Sequence, residues 1–448
     1  VTSRQNSEPM KRITYPLLFT ACLTLHAQQP WTVDQCMQYA VSHNHDVRLQ
    51  HLAIDDYKAE KTSAVGTFLP SVEGSVGAQY SFGRAINPET NTYTNVSTFS
   101  NSYSLGTNLP VFDGLRRYNN LLAAKANLLM GKSQLEAQKD ATAQRVLETY
   151  VLALYHKGCI DIAAQKRTES EMLLRQTQVM AEVGQKGEAD VAQMRATYAA
   201  DDFELTHQQG LYDQDLLTLK QLMNFPVADT LRIAAWDDVA ADPPAADATA
   251  LYEQALHYNP DIRGAEYSLL SARYAYRSSR GALLPSLSVG AGVSTSFFKQ
   301  LHAPHSASFK DQLRNNAGQY VYATLSIPIF NRLSTLANIR HQRNNVKRAE
   351  EELAYRHSEL QRLIHETVTD RENSRKETEK MRAKVESDSI ASRLTVRKYE
   401  EGLASAVEVQ TQAVALLQSK AQLLQCQLTH LYKTRMLNYY KGIPLWTE

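Results

Sequence analysis

A chain of 448 residues has room for two or three ordinary domains, and a net charge of +1 argues against nucleic acid as a partner. Beyond the N-terminal leader no apolar run approaches the roughly 18 residues that a membrane-spanning helix needs. The cysteines are scattered, without metal-ligand spacing or a disulfide framework, and read as small helix-packing residues.

The chain opens with a leader. Met10-Lys11-Arg12 precedes the apolar run 13–25, which leads into Leu25-His26-Ala27. This is the pattern of a signal peptide, with cleavage expected after Ala27 and residues 1–9 an upstream extension or a misread start. A lipoprotein cut before Cys22 is the alternative, although Phe19 suits it poorly.

The first repeat is expected over 28–226. An amphipathic helix at 32–43 breaks at Asn44 and resumes to about residue 68. SVEGSVGAQYSF then alternates: Val72, Val76, Tyr80 and Phe82 share one side, and Ser71, Ser75 and Gln79 the other. Strands are expected at about 70–83 and 98–111, joined by a polar loop. Asp113 stands where strand gives way to helix and is a good N-cap. No proline follows until Pro226, so helix can run from Gly114 to Val183, about 105 Å at 1.5 Å per residue. Gly184-Gln185-Lys186-Gly187 interrupts it, and helix resumes to Met223. Residues 227–247, acidic and proline-bearing, read as a linker.

A second repeat is expected over 248–448, because the same order recurs. Ala40–Arg48 matches Ala255–Arg263 at an offset of 215, and Leu69-Pro70-Ser71 matches Leu284-Pro285-Ser286. Leu109-Pro110-Val111-Phe112 matches Ile327-Pro328-Ile329-Phe330 at 218, as Gly184 matches Gly402. Strands are expected at about 285–298 and 318–330, with a polar loop between. Asn331 then caps a second long helix, which Gly402-Leu403-Ala404-Ser405 interrupts. Seven-residue spacing marks a coiled-coil seam: Val191, Tyr198, Leu205, Tyr212 and Leu219; Val409, Leu416, Leu423, His430 and Leu437; Ile339, Val346, Leu353 and Leu360. In each half, two shorter helices end to end would flank one long antiparallel helix.

Four strands with one apolar and one polar face cannot stand alone in lipid, because a spanning sheet must close. They are too few to close by themselves, whereas three copies would supply twelve, enough to leave an opening. A soluble β-sandwich on a helical stalk is the competing architecture.

In their order, duplication and spacing, WTVDQCMQYAVSHN, GTFLP, the two proline–Phe strand ends and GLASAVEVQTQAVALLQSKAQLL resemble the TolC family of outer-membrane efflux proteins. WTVDQC is similar to Bacteroidetes members. The resemblance covers nearly the whole mature chain. It implies a mainly α fold with a small β part: a tandem repeat whose long antiparallel coiled-coil helices form an α-barrel across the periplasm, and whose four strands per chain contribute to a trimeric twelve-stranded β-barrel in the outer membrane. It implies a passive exit duct for efflux or type I secretion, with a periplasmic adaptor and an inner-membrane RND or ABC transporter as partners, outer-membrane lipid around the barrel, and no cofactor.

The resemblance also points to residues. Gly184, Lys186, Gly187, Gly402, Ala404 and Ser405 fall at the periplasmic tip, where adaptors dock. Family members can carry two acids after the second tip glycine; here Glu408 is present and Thr411 departs. Asp190 follows Gly184 in the same register as Glu408 follows Gly402. Tyr399 matches an aromatic often found at the closed end, so Glu408, Asp190 and Tyr399 are the expected pore constriction. The basic residue that some members carry two after this glycine is Ala404 here. The competing reading of the two acids is as solvated charges in a first helical turn, where negative charge is favoured.

Two other function classes compete with the duct. An enzyme would need a site, and the candidates are His43-Asn44-His45 at a helix break and His302 with His305 in a loop; neither accompanies a phosphate loop, a nucleophile elbow or a Cys-x-x-Cys pair. A trimeric coiled-coil adhesin or structural stalk would need a repetitive passenger, whereas here the strands lie inside each repeat.

Overall fold

The computed structural model describes residues 30–87, 91–95, 97–235, 247–301 and 307–446. The leader with its Ala27 and Cys22 cleavage sites, most of the linker, His302 and His305 lie outside the described residues.

Thr32 opens helix α1 (Val33–His43) with a capping box, its hydroxyl accepting from the Gln35 N–H while the Gln35 side chain accepts from Thr32. Asn44 then leaves the helical backbone and caps α2 (His45–Gly66), its Oδ1 accepting from the N–H groups of Asp46 and Val47. Asn259 does the same between α5 (Ala248–Leu256) and α6 (Pro260–Gly281). Pro260 there supplies a fixed φ at the first helical position. The recurring break is thus one device used twice. His43 stacks on Tyr39 and places Nδ1 2.9 Å from the Tyr39 carbonyl, so its contacts belong to this junction.

The long helices are α3 (Arg116–Glu182) and α8 (Ser334–Glu400), each of 67 residues, or about 100 Å. They turn back into α4 (Glu188–Met223) and α9 (Ala406–Tyr439). α3 packs against α2 and α4, and α6 packs against both α3 and α8. All fourteen heptad positions named above are buried or half-buried. The seam therefore closes largely within one chain.

The expected caps at Asp113 and Asn331 need correction. The capping positions are Leu115 and Leu333, both left-handed with φ near 65°, and neither caps through its side chain. Asp113 still acts on α3 from two residues upstream, its carboxylate accepting from the Arg117 N–H at 3.1 Å and ion-pairing with the Arg117 side chain. Asn331 contacts Thr335 and accepts at its carbonyl from Ser334 N–H. The turn is tighter than a simple N-cap because two consecutive left-handed residues, Gly114-Leu115 and Arg332-Leu333, reverse the chain at each junction. Glycine is required at 114, where a Cβ would lie 2.2 Å from the Gly281 carbonyl oxygen.

The strands are β1 (Ser71–Ser81), β4 (Thr98–Phe112), β5 (Ser286–Gln300) and β6 (Gly318–Ser326), in one antiparallel sheet of order β1-β4-β5-β6. The two repeats join through β4 and β5, which pair along nearly their whole length. The loops expected to be featureless hold a hairpin, β2 (Arg84–Asn87) with β3 (Thr92–Asn95), and a short helix, α7 (Phe309–Asn315). The last strand ends at Ser326 rather than near 330. Beyond its start, at Gly318 opposite Ser294, β5 continues, and there the Gln312 amide both accepts from Phe298 N–H and donates to its carbonyl, taking the place of a strand.

The main core lies partway down the helices. Met37, Val146, Leu147, Tyr150, Leu219, Ile364 and Leu437 are all at most 1% exposed there, and α1, α3, α4, α8 and α9 all contribute. Each buried aliphatic side chain stabilises by about 1.5–3 kcal/mol. The first part of the expected linker is pinned to this core. Ile233 pairs with Trp31, and the Tyr150 hydroxyl lies 2.9 Å from the Trp31 carbonyl and 2.7 Å from that of Ala234. Cys36 and Cys159 are buried and Cys426 half-buried, all as free thiols.

Candidate functional site

The sheet presents two chemically distinct faces. Register places Val72, Val76 and Tyr80 with Thr107, Tyr103 and Phe99, and these with Ala291, Thr295 and Lys299. Leu105, Val289, Val293, Val321 and Leu325 share that side. Val76, Leu105, Val321 and Leu325 are each more than half exposed, an apolar surface that water disfavours. The opposite face carries Ser75, Gln79, Ser104, Ser288, Ser294 and Thr324, with Ser75 and Ser104 hydroxyls 2.7 Å apart. The residues that alternation assigns to the two sides of β1 therefore fall on opposite faces of the sheet, as expected.

Sequence reasoning missed two aromatics on the polar face. The rings of Tyr320 and Tyr322 lie across Gly292 and Gly290, where an added Cβ would come within 2.4–2.6 Å of them. Glycines two apart, facing tyrosines two apart on the partner strand, were the available signal.

Far from the sheet, the helix pairs end in two matching turns. Gly184 and Gly402 hold φ of 79° and 77°. Their N–H groups donate to the carbonyls of Ala181 and Tyr399, while Gln185 and Leu403 donate to Met180 and Lys398. This closes the orphan carbonyls of α3 and α8. On the far side, Ser405 and Glu408 form a full capping box: Glu408 N–H donates to the Ser405 hydroxyl at 3.2 Å, and Ser405 N–H to the carboxylate at 2.9 Å. Gly187 lacks a side chain, so only half the box exists there, Gly187 N–H donating to Asp190 at 3.2 Å. The two acids thus have matching roles as helix caps.

Tyr399 is not placed as a pore residue would be. It is 1% exposed, packed with Met194, Ala406 and Val409. Its hydroxyl lies 3.0 Å from that of Thr177, and the Lys186 ammonium sits 4.0 Å from its ring centre. Burial raises its phenol pKa. The expectation that Tyr399 lines the constriction is corrected: it is the packing residue that joins α8 to α3 and α4 just above the tip. Lys186, expected only as a docking residue, also holds this cluster by a cation–π contact. Gln193 and Gln410, whose amides bond at 2.8 Å, tie α4 to α9 and were not anticipated.

The profile of the outer membrane efflux protein family matches residues 36–224 and 251–435. The chain belongs to this family. It is 24% identical over 431 residues to the pyoverdine export outer membrane protein OpmQ of Pseudomonas putida, covering 92% of this chain and 85% of that one. It is 23% identical over 438 residues to the probable efflux pump outer membrane protein TtgC of the same species, covering 93% and 85%. Its fold is that of the Campylobacter jejuni CmeC outer membrane channel, with a TM-score of 0.78 at 16% identity over 93% of this chain and 87% of that one. CusC superimposes with a TM-score of 0.76 at 17% identity, over 95% and 96%. Membership places this chain in the outer membrane.

Proposed function

We propose that this protein is a passive exit duct of the outer membrane, conducting substrates outward from a periplasmic adaptor and an inner-membrane RND or ABC transporter. The observation that carries the reading is the sheet: four strands, apolar on one side and polar on the other, whose outer edges at β1 and β6 have no strand partner among the described residues. In lipid such edges must be paired. Pairing β6 of one copy with β1 of the next, three times, closes twelve strands with the polar face inward. The long helices then hang from the barrel as a tube. The efflux names of the relatives favour this duct over an adhesin or stalk.

In this reading the turns Gly184–Gly187 and Gly402–Ser405 are the adaptor-facing tip. Asp190 and Glu408 bring six carboxylates per trimer to the narrow end, each using one oxygen for its cap. Mass measurement in detergent should give three copies, and planar bilayers should show channel conductance. A stable monomer with a closed barrel of its own refutes the reading. Ala404→Cys should crosslink to the hairpin of a co-expressed adaptor in cells, and a cysteine in the strand loops should not.

A further inference from the structure

Charge is segregated along this nearly neutral chain. Between Asp113 and Glu136 α3 carries no acid, α6 carries none after Glu266, and α8 carries none before Glu350. Those three windows hold four, three and four arginines and lysines respectively, and Arg332 stands just before the third. The windows are the membrane-proximal ends of the helices, directly beneath the apolar band of the sheet. Asp113, the carboxylate beside the start of α3, is occupied by Arg117, and the other acids at this level are Glu60 near the end of α2 and Glu73 at the start of β1.

Six of these cations, Arg116, Arg277, Arg280, Arg332, Arg340 and Arg343, are exposed, and none has an ion pair among the described residues. They lie within about 15 Å of the strand–helix turns. Exposed leucines stand among them: Leu69, Leu115, Leu283 and Leu333 are each more than half exposed. Leu336, Arg340 and Arg343 share one stripe of α8 by their spacing. Arg277 and Arg280 lie 5.6 and 6.0 Å from the rings of Tyr274 and Tyr276. Exposed leucine, tyrosine and unpaired arginine at one level is the chemistry of a membrane interface, where the stem meets acyl chain and the guanidinium reaches phosphate. The polar face of the same sheet looks different: it carries serine, glycine, Gln79, Tyr320 and Tyr322, and neither arginine nor lysine among the described strand residues.

We infer that the strand–helix junction is a collar that binds anionic phospholipid headgroups of the periplasmic leaflet. This rests on the barrel reading above, since the collar meets lipid only if the sheet does. Three copies bring eighteen such arginines around the neck. Each juxtamembrane arginine attracts an anionic surface modestly and the effect sums, so the binding is strong at low salt and screened at high salt.

The test uses the purified full-length protein in detergent with added phosphatidylglycerol or phosphatidylcholine. Native mass spectrometry should show phosphatidylglycerol retained in preference, and the thermal midpoint of trimer dissociation should rise with it. The variant R116Q/R277Q/R280Q/R332Q/R340Q/R343Q should keep its midpoint in phosphatidylcholine and lose the rise. Should that variant fail to assemble, the wild type at about 1 M salt, where the screening length is about 3 Å, should lose the rise instead. Equal retention of the two lipids, or a rise that survives both the substitutions and salt, overturns the collar. So does a shifted reversal potential in the variant with its lipid response intact, which would put the arginines in the lumen. Failure of the barrel reading shows separately, as a wild type without trimer mass or conductance.

Discussion

Arginine placed at the two faces of β1 separates them by free energy. Val76 is the sixth of eleven residues of β1, on the apolar face, 74% exposed and paired with Tyr103. In the proposed barrel a midpoint position on that face puts the side chain near the bilayer centre, where arginine costs about 2–4 kcal/mol. With three copies in one barrel, as proposed, Val76→Arg should cost roughly 6–12 kcal/mol per assembled trimer by the same scale. Ser75 is the adjacent residue on the polar face. Ser75→Arg loses one hydroxyl contact to Ser104, worth about 0.5–1.5 kcal/mol, and keeps its charge in water. Denaturant unfolding of protein reconstituted in vesicles measures both, with gel mobility of the unheated trimer as a coarser readout. Val76→Arg should lower the midpoint sharply and Ser75→Arg only slightly. Equal costs, or the larger cost at Ser75, would refute the assignment of faces and with it the barrel.

Ile364 is fully buried in the main core, so Ile364→Ala should cost about 2–5 kcal/mol in chemical denaturation without altering conductance of the surviving trimers. Ser405→Ala removes one half of the second tip's capping box and should cost about 0.5–2 kcal/mol locally; amide exchange should quicken at Ala406–Glu408 and stay unchanged in the core, and a uniform effect would be contrary to it. Burial pushes the Cys36 thiol up to about 12 from its ordinary 9.0. An acid whose folded pKa is raised holds its stabilising contribution below the unfolded value and loses it as pH rises through the folded one, so stability should decline between pH 9 and about 12, with less decline in Cys36→Ala. Cys426, half-buried, should label with a maleimide before Cys36 at neutral pH. Asp190→Asn with Glu408→Gln should weaken cation selectivity and divalent block; unchanged reversal potentials in a salt gradient would leave the two acids as caps alone.

What could be read along the chain was what local chemistry repeats. An asparagine between two helical runs caps the second one wherever the chain goes, so Asn44 and Asn259 were legible as a break. Glycine at 184 and 402 ends a helix because a left-handed residue is needed there, and alternation with period two assigned strand faces before any partner strand was known. Those rules involve neighbours within a turn or a pleat. Partner choice is different. That β4 of one repeat pairs with β5 of the next, that Gln312 completes the edge of β5, and that Tyr320 and Tyr322 cover Gly292 and Gly290 all depend on residues far apart in sequence or on strands whose pairing no local pattern specifies. Tyr399 shows the limit most directly. Its position three residues before a tip glycine pointed to a constriction, but the rotation of α8 against α3 and α4 turned it inward to Thr177 and Met194. The left-handed pair at each strand–helix junction belongs to the same class. Asp113 and Asn331 have the chemistry of N-caps, but the close crossing of Gly114 over Gly281 requires a sharper reversal, which moves the cap position on to Leu115. Helix rotation and backbone crossing are set by how side chains from several elements fill one volume, and only the folded chain decides that.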